Sequence, residues 1–513
     1  MTVMKRALLS CSDKTGLDSF ARTLSELGIE LVASDGTADF LRQHGLRVKS
    51  VEEFAGMTEQ LDGRVKTLHP KIHAGILARR DDPAHVQAVG PQGYIDLVVV
   101  NLYPFEQTIQ RPGVSLAEAI EQIDIGGVAL LRAGAKNFAH VGVVCEPQQY
   151  DAVVNALRDG HGQLPSAMSR ALAIKAFSLT HAYDEQIARF LDAKTPQHGG
   201  DDAVSIRLRR RQGLRYGENP HQQGAWYVPA GGPAWGVGTL SQLQGKELSY
   251  NNLLDIDAAV RCLLEFDEPT CAVIKHNSQC GLASAPTIQQ AYERAYACDA
   301  ESAFGGIVGC NRPVDVSLAK RFTETFLEVI VAPSVEPQAI ALLGKKPNLR
   351  VVTLEWPRAL SAESEWRQLL GAWLQQDPDT QTIVPTSLSV VTKRAPTEHE
   401  RADLLFAWKA AKHVKSNGIV IATERATVGI GQGQPSRVGS VRLAVESAGA
   451  RSQHAVAASD GFFPFPDGVE LLAKAGVTAV IQPGGSIRDA EVIAAADTAN
   501  LAMLVTGVRH FRH

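Results

Sequence analysis

The stretch Ile95-Asp96-Leu97-Val98-Val99-Val100 decides the fold class of the first part of this chain. Its almost continuous apolar character predicts a strand buried on both faces, as in a parallel sheet covered by helices. Residues 141–145 form a second such run, and residues 7–9 and 29–33 are shorter strand candidates. Residues 17–27 place their apolar side chains on one helical face. This alternation of strands and helices predicts an α/β domain with a parallel sheet.

A polar segment at residues 192–202, DAKTPQHGGDD, marks a boundary between two parts of the chain. It contains a proline and a Gly-Gly pair and has no apolar period. We therefore predict one domain at residues 1–195 and another at residues 203–513. In the second domain, residues 418–423 and 427–430 are candidates for a hairpin. Its mixed pattern of strands and helices predicts an α/β domain of two subdomains.

Composition narrows the classes of function. A chain of 513 residues with 45% hydrophobic and 21% charged residues is typical of a globular protein of two or more domains. The net charge of −4 argues against nucleic acid as a general partner. The 7 cysteines include no C-x-x-C pair, so we expect reduced thiols, a cytoplasmic location and no metal site. We expect no membrane span, because no apolar run approaches about 18 residues.

Three polar segments of the first part carry groups that bind phosphate. They are SCSDKTG (10–16), SDGT (34–37) and GRVKTLHP (63–70). Hydroxyls, helix N-termini and cations are all good ligands for phosphate. Each segment alone also fits a helix cap or a solvated loop, but the three together predict a phosphate ester as ligand. Lys14 adds charge to the first segment, and Arg64, Lys66 and Thr67 of the third form a dense cluster of anion ligands.

Two further loops carry groups suited to proton transfer or oxyanion stabilisation. Residues 101–105 follow the first buried run, and residues 122–127 precede a helical pattern. The candidates in and after these loops are Tyr103, Asp124 and Lys136. Packing is the alternative role for Tyr103, and an ordinary turn is the alternative for Asp124.

In the second part, a predicted strand at residues 270–274 is followed at once by Lys275 and His276. Residues 277–281 come next and are rich in loop formers. Groups at the C-terminal ends of strands face ligand crevices in α/β sheets. A neighbouring lysine disfavours the imidazolium, so the pair suits a neutral His276 acting as a base. A solvated turn is the alternative for this pair taken alone.

Four segments of the first part resemble, in order, the IMP cyclohydrolase domain of the bifunctional purine biosynthesis enzymes. They are SDKTGL (12–17), GRVKTLHPKIHAGIL (63–77), NLYPF (101–105) and EQIDIGG (121–127). The resemblance implies a methylglyoxal synthase-like fold. It also implies closure of 5-formamidoimidazole-4-carboxamide ribotide (FAICAR) to IMP with loss of water.

The resemblance carries the catalytic positions of that domain onto Lys66, Tyr103, Asp124 and Lys136. We hypothesise that the two lysines stabilise the oxyanion and that Asp124 moves a proton. The phosphate contacts of the family fall on Ser12, Lys14, Ser34, Gly36, Thr37, Arg64, Lys66 and Thr67, and its other substrate positions fall on Asn101, Gly126 and Gly127.

Eight segments of the second part resemble the AICAR transformylase domain of the same family, which has a cytidine deaminase-like fold. They are RYGENPHQ (215–222), GKELSYNN (245–252), KHNSQCG (275–281), SAFGG (302–306), SNG (416–418), GQGQPSR (431–437), SDGFFPFPDG (459–468) and QPGGSIRD (482–489). The resemblance implies formyl transfer from 10-formyltetrahydrofolate to the amine of AICAR. The sequence lacks the H-x-E and P-C-x-x-C signature of the zinc site in cytidine deaminases. We therefore expect no zinc, despite the similar fold.

In this resemblance His276 is the base, and Lys275 is its electrostatic or proton-donating partner. The family's substrate positions fall on Arg215, Tyr216, Gly305, Glu328, Asn417, Arg437, Phe462, Asp467 and Arg509. The resemblance further implies a homodimer with transformylase sites across its interface. It also admits a structural monovalent cation such as K+.

Two positions depart from the family pattern. Asp35 stands where the family usually has glycine, and a carboxylate beside a phosphate loop repels the ligand unless it points away or pairs with a cation. Gln279 stands where the family usually has proline. It removes a restraint on φ and restores an N–H group, which predicts a loop that is looser or differently bonded.

Two other functions remain open at this point. A phosphate-binding regulatory protein would need the phosphate loops, but it would not need Lys275 with His276 or Asp124 with Lys136. A nucleic-acid binder built on the basic run at residues 207–215 conflicts with the net charge and lacks interleaved aromatic residues. Binding of folate separates the enzyme from both alternatives.

Overall fold

The computed structural model describes residues 3–57, 61, 65–193, 204–230, 234–360, 363–384, 386 and 388–513. The chain forms two compact units that divide between Val204 and Ser205. The predicted ligand Arg64 and residues 194–202 of the predicted boundary segment lie outside the described residues. Among the described helices, none is long and apolar enough to cross a membrane. All 7 cysteines are free and buried.

The first unit is built on a 5-stranded parallel sheet with the order β3-β2-β1-β4-β5. Its strands are β1 (Arg6–Cys11), β2 (Glu30–Ala33), β3 (Lys49–Ser50), β4 (Leu97–Asn101) and β5 (Gly142–Val144). Its helices are α1 (Leu17–Glu26), α2 (Asp35–Gln43), α3 (Val51–Ala55), α4 (Pro70–Leu77), α5 (Pro83–Val89), α6 (Phe105–Ile109), α7 (Leu116–Glu121), α8 (Gly126–Lys136), α9 (Tyr150–Asp159) and α10 (Ser166–Ala193). The parallel α/β prediction for this part is confirmed.

Strand β4 is buried on both faces, as its sequence predicts. Leu97 and Val99 pack into one hydrophobic cluster, and Val98 and Val100 pack into another. Because alternate side chains of a strand point to opposite faces, the sheet separates two cores. Since β1 lies between β2 and β4, the loops after these three strands open on one crevice at the carboxyl edge.

The second unit is built on a 12-stranded mixed sheet with the order β16-β21-β20-β19-β17-β18-β10-β9-β11-β12-β13-β8. Its strands, with two separate hairpins β6-β7 and β14-β15, are β6 (Leu208–Leu214), β7 (Gly224–Pro229), β8 (Ser241–Gln244), β9 (Thr270–Lys275), β10 (Ser278–Ser284), β11 (Ile307–Cys310), β12 (Val329–Ala332), β13 (Arg350–Thr353), β14 (Glu365–Leu369), β15 (Ala372–Gln376), β16 (Ser389–Val390), β17 (Ile419–Thr423), β18 (Ala426–Gly431), β19 (Val456–Ser459), β20 (Ala479–Gln482) and β21 (Ala502–Val505). Its helices are α11 (Tyr250–Leu263), α12 (Ile288–Cys298), α13 (Ala300–Ala303), α14 (Val316–Glu324), α15 (Pro337–Leu343), α16 (Glu398–Ala411), α17 (Arg437–Ala448), α18 (Asp467–Lys474) and α19 (Asp489–Thr498).

The large sheet consists of two similar halves that meet where Ala283 of β10 lies opposite Ala426 of β18. Moving outward from that junction, each half has an antiparallel hairpin, then three mutually parallel strands, then an antiparallel edge strand. The two orders are β10-β9-β11-β12-β13-β8 and β18-β17-β19-β20-β21-β16. This arrangement agrees with two subdomains, and the predicted hairpin at residues 418–430 is confirmed.

The prediction that residues 277–281 form a loop is wrong. Ser278–Ser284 is strand β10 and pairs antiparallel with β9, so only His276 and Asn277 connect the two strands. Both have positive φ, 53° and 56°, as type I′ hairpin turns require. Of the two outcomes expected at Gln279, the looser loop is not observed but the different bonding is. Its buried side chain donates from Nε2 to the Ala410 carbonyl at 3.2 Å, so the turn rests on a fixed strand.

Candidate active sites

Asn101, at the end of β4, shapes the loop that follows β1. Its Oδ1 accepts from the backbone N–H groups of Ser12 (2.6 Å) and Asp13 (2.8 Å), and its Nδ2 donates to the Asp13 carbonyl (2.8 Å). Lys14 folds back in the same loop and donates from Nζ to the Cys11 carbonyl at 2.6 Å. The amide of Asn101 is therefore engaged in holding the loop that carries the predicted ligands.

The loop after β2 lies beside this one and leads into α2. Ser34 immediately precedes the helix, and its hydroxyl donates to Ser10 Oγ at 3.0 Å. Thr37 is buried, and its Oγ1 accepts from the Cys11 N–H at 3.1 Å. Gly36 faces open space, since a Cβ there would meet nothing within 4 Å. The predicted phosphate residues of both loops thus meet near the N-terminus of α2, a favourable place for an anion.

Asp35, which departs from the family pattern, pairs with Lys66, a residue that the sequence analysis predicts to bind the ligand. Its Oδ2 lies 2.8 Å from Lys66 Nζ, and the two side chains are 37% and 32% exposed. The pairing offsets the repulsion that a lone carboxylate would exert on a phosphate. It also engages the cation of Lys66 before any ligand arrives.

Asp124 lies just before α8, with its carboxylate bound by backbone groups. Oδ1 accepts from the Gly127 N–H at 2.7 Å, and the backbone N–H of Tyr103 also donates to the carboxylate. Burial raises the pKa of Asp124, although both hydrogen bonds oppose that shift. A buried carboxyl group with a raised pKa is suited to proton transfer near neutral pH.

The surroundings of Asp124 explain the two glycines and reveal a residue that the sequence analysis missed. A Cβ at Gly127 would meet Asp124 Oδ2 at 2.5 Å, and one at Gly126 would meet Thr67 Oγ1 at 2.5 Å. Tyr183 of α10 holds the loop from behind, because its hydroxyl accepts from the Asp124 N–H at 2.8 Å. No sequence signal connects Tyr183 to a loop 59 residues away.

The structure does not bring Lys136 into this cluster. It is the last residue of α8, ten residues after Gly126, and is therefore about 15 Å away along the helix axis. A lysine at this position also interacts favourably with the negative end of the helix dipole.

One edge of the 12-stranded sheet gathers the candidates of the second unit. Ile307 pairs with Ile274 and with Val329, so the end of β9 lies beside the starts of β11 and β12. Ile419 pairs with Gly431 and with Ser459, so the start of β17 lies beside the ends of β18 and β19. Because β10 and β18 are antiparallel, both groups occupy the same edge. The candidates there are Lys275, His276, Gly305, Glu328, Asn417, Arg437 and Phe462.

Within this edge, the imidazole of His276 is exposed and the neighbouring cation is anchored. Lys275 is half-buried, and its Nζ donates to the Phe304 carbonyl at 2.8 Å. Gly305 has a φ of 74° and donates its N–H to the Phe326 carbonyl at 2.8 Å. The SAFGG segment therefore fixes the ammonium group beside the exposed imidazole.

Two carboxylates lie close to this turn. Asp255 of α11, which the sequence analysis did not single out, accepts from the Asn277 N–H at 2.6 Å. Burial raises the pKa of Asp255, while its hydrogen bonds to the turn and the charge of His276 lower it. Glu328 accepts from Asn252 Nδ2 at 3.1 Å and also interacts electrostatically with Asp255.

Positive charge collects beside Glu328. Arg350 is buried, and its Nη1 lies 3.6 Å from Glu328 Oε2. Burial lowers the pKa of Arg350, Glu328 raises it, and the nearby charge of Arg215 lowers it again. Arg215 lies over the ring of Tyr216 at 5.4 Å. Two guanidinium groups beside one carboxylate leave positive charge available for a phosphate.

A cavity of about 400 Å³ joins four predicted substrate residues, a volume suited to a small ligand. Asn417, Arg437, Phe462 and Asp467 all line it. Phe511 lines it as well and lies under the guanidinium of Arg509 at 4.7 Å, so the C-terminal segment contributes to its wall.

Arg437 supports this cavity from within the core. Its Nη1 donates to Ser459 Oγ (2.7 Å) and to Asp460 Oδ1 (2.5 Å), and its Nη2 donates to Asn417 Oδ1 (2.7 Å). Arg437 is 7% exposed and Asp460 is fully buried. Such a buried, fully bonded pair fixes the position of the Asn417 amide at the cavity wall.

Comparisons with known proteins identify the family of this chain. The profile of the AICARFT/IMPCHase bienzyme family matches residues 134–447, and that of the MGS-like domain matches residues 16–129. The chain is 52% identical over 512 residues to the bifunctional purine biosynthesis protein PurH of Cyanothece sp.. It is 51% identical over 514 residues to the protein of that name from Synechococcus elongatus, and 49% identical over 513 residues to the one from Nostoc punctiforme. Each comparison covers 99% of both chains. The chain therefore belongs to the AICARFT/IMPCHase bienzyme family.

Proposed function

We propose that this bifunctional enzyme of purine biosynthesis runs its two reactions in different units. The second unit transfers the formyl group of 10-formyltetrahydrofolate to AICAR, giving FAICAR and tetrahydrofolate. The first unit closes FAICAR to IMP and water. The observation that carries the proposal is that His276 shares a sheet edge with the cavity lined by Asn417, Arg437 and Phe462.

For formyl transfer, the chain must remove a proton from a weakly nucleophilic amine. The AICAR amine attacks the formyl carbon, and the bond from that carbon to the folate nitrogen breaks. His276 takes the proton of the amine, and the departing nitrogen gains a proton for which Lys275 is the nearby donor. The anchoring of Lys275 by the Phe304 carbonyl supports this division of roles.

For cyclisation, the chain must hold two ends of one molecule together. Holding the carboxamide nitrogen of FAICAR against its formyl carbon supplies much of the rate enhancement. Asp124 then takes the amide proton, and Lys66 and Tyr103 stabilise the oxygen that leaves as water. The backbone bonds that fix the Asp124 carboxylate beside Tyr103 support this assignment. Only the family resemblance supports a catalytic role for Lys136. Cyclisation at the wild-type rate by the Lys136→Ala variant would contradict that role.

The direct test is absorbance-monitored conversion of AICAR and 10-formyltetrahydrofolate to IMP by the purified chain. Turnover with release of tetrahydrofolate supports the enzyme. A chain that binds nucleotide, but neither binds folate nor turns over its substrates, would instead be a regulatory phosphate-binding protein.

Asp35→Asn should improve binding of FAICAR. The change removes the charge that engages Lys66, whose partner is about a third exposed. An exposed ion pair of this kind is worth roughly 0.4–1 kcal/mol, so we expect the KM for FAICAR to fall about two- to fivefold with kcat unchanged. Asp39→Asn is the matched control, because Asp39 lies in the same helix but pairs with Arg42. A KM that is unchanged or raised in Asp35→Asn would contradict this role.

We also propose a homodimer in the cytoplasm. The outer hairpin β14-β15 supports the dimer, because Leu370, Trp373 and Leu374 are more than half exposed, as in association surfaces. Analytical ultracentrifugation tests it against the 55.1 kDa of a single chain. The free cysteines support the reducing compartment. A structural cation such as K+ is tested by assaying activity after exchange of K+ for a bulky organic cation.

A further inference from the structure

The hairpin that carries His276 has a counterpart in the other half of the same sheet. His276 and Asn277 join β9 to β10, and Glu424 and Arg425 join β17 to β18. All four connecting residues have positive φ, between 49° and 57°. Helix α11 precedes the first hairpin and α16 precedes the second. The two halves therefore repeat helix, strand, left-handed turn and strand in the same order.

A buried aspartate on the preceding helix holds each turn. Oδ1 of Asp255 accepts from the second N–H of the His276-Asn277 turn at 2.6 Å, and the first N–H lies close enough to the same carboxylate to lower its pKa. Asp403 accepts from both N–H groups of the Glu424-Arg425 turn, at 2.8 and 2.7 Å. In each half 22 residues separate the aspartate from the second turn residue. Left-handed backbone is strained for residues other than glycine and persists only where its surroundings fix it, which each carboxylate does.

The two turns differ in what they present. The first turn lies at the sheet edge that holds the cavity and carries an imidazole. The second lies at the far end of β17, and its Glu424 pairs with Arg294 at 2.9 Å. Asp403 also contacts His399 of its own helix, with Oδ2 3.6 Å from Nδ1, whereas Asp255 interacts electrostatically with His276 of the turn that it holds and with Glu328.

We propose that Asp255 is a positioning residue for formyl transfer, which acts through the His276-Asn277 turn that it holds. The inference rests on the proposed role of His276 as the base. The carboxylate fixes the backbone from which the imidazole projects. The ring is therefore held in position before the AICAR amine binds. Its negative charge stabilises the imidazolium that forms when the amine proton moves to His276. The two halves share the aspartate clamp, and the first half uses it for catalysis.

The repeated clamp supplies a matched experiment. We compare Asp255→Asn and Asp255→Ala with Asp403→Asn and Asp403→Ala in the full chain. Asparagine keeps an oxygen that accepts from the turn but removes the charge, and alanine removes both. We expect the kcat of formyl transfer to fall about tenfold in Asp255→Asn and about a hundredfold in Asp255→Ala, with the KM for AICAR within about twofold. Both Asp403 variants should lose thermal stability to a similar extent but keep kcat within about twofold.

Cyclisation of supplied FAICAR reports that the first unit of each variant is intact, and thermal unfolding of the full chain reports on the unit that carries the substitutions. The inference is overturned if both Asp255 variants keep wild-type kcat or if they change only the KM for AICAR. It is equally overturned if the Asp403 variants lose as much kcat, since the clamp would then act only on stability. Full formyl transfer by His276→Asn would instead refute the proposed role of His276 as the base, and the two failures are thereby distinguished.

Discussion

His276→Asn is expected to abolish formyl transfer while FAICAR supplied to the same protein is still converted to IMP. Removing a general base costs about 10²- to 10⁴-fold in rate, so turnover of AICAR with 10-formyltetrahydrofolate should fall by that factor. Asparagine is the informative replacement, because position 276 has a φ of 53° and asparagine tolerates left-handed backbone better than alanine. The measurement is release of tetrahydrofolate in one assay and formation of IMP from FAICAR in the other.

His399→Ala is the control for this experiment, because His399 is an exposed histidine at the start of α16 and belongs to neither site. It should leave both rates unchanged. Loss of both activities in His276→Asn would contradict two separate sites. Retention of formyl transfer would show that another group takes the amine proton.

The sequence predicts the first unit well because its signals are local. The run at residues 95–100 is apolar at nearly every position, which identifies strand β4 and its burial on both faces. The polar loops after β1, β2 and β4 then fall at one edge, because parallel strands point the same way. The pairing of Asp35 with Lys66 is one of the two arrangements that the sequence leaves open for this carboxylate.

The second unit is harder to predict because its decisive contacts join distant residues. The His276-Asn277 turn lacks the Asn-Gly or Asp-Gly pair that signals a tight hairpin, so the sequence suggests a loop instead. The repeated halves have no residue type in common at their turns, His-Asn in one and Glu-Arg in the other. Asp255 belongs to an ordinary helical pattern, and only the folded chain brings it to a turn 22 residues later.

Asp124→Asn is expected to abolish cyclisation while formyl transfer continues and FAICAR accumulates. Asparagine can still accept from the Gly127 and Tyr103 N–H groups, so the loop should keep its shape while the proton acceptor is lost. The rate of IMP formation from FAICAR should therefore fall about 10²- to 10⁴-fold. Glu121→Gln, at the end of the neighbouring helix α7, is the matched loss of a carboxylate and should cyclise normally.

The pH dependence of cyclisation tests the same assignment independently. A carboxylate that accepts a proton is active when ionised, so the wild-type rate should decline as the pH falls through the pKa of Asp124. Burial raises that pKa, so the decline should begin at a higher pH than for an ordinary aspartate. The residual activity of Asp124→Asn should show no such decline. An identical acid limb in both proteins would assign the titration to another group, and it would leave Asp124 with only the structural role that its bond to the Gly127 N–H already provides.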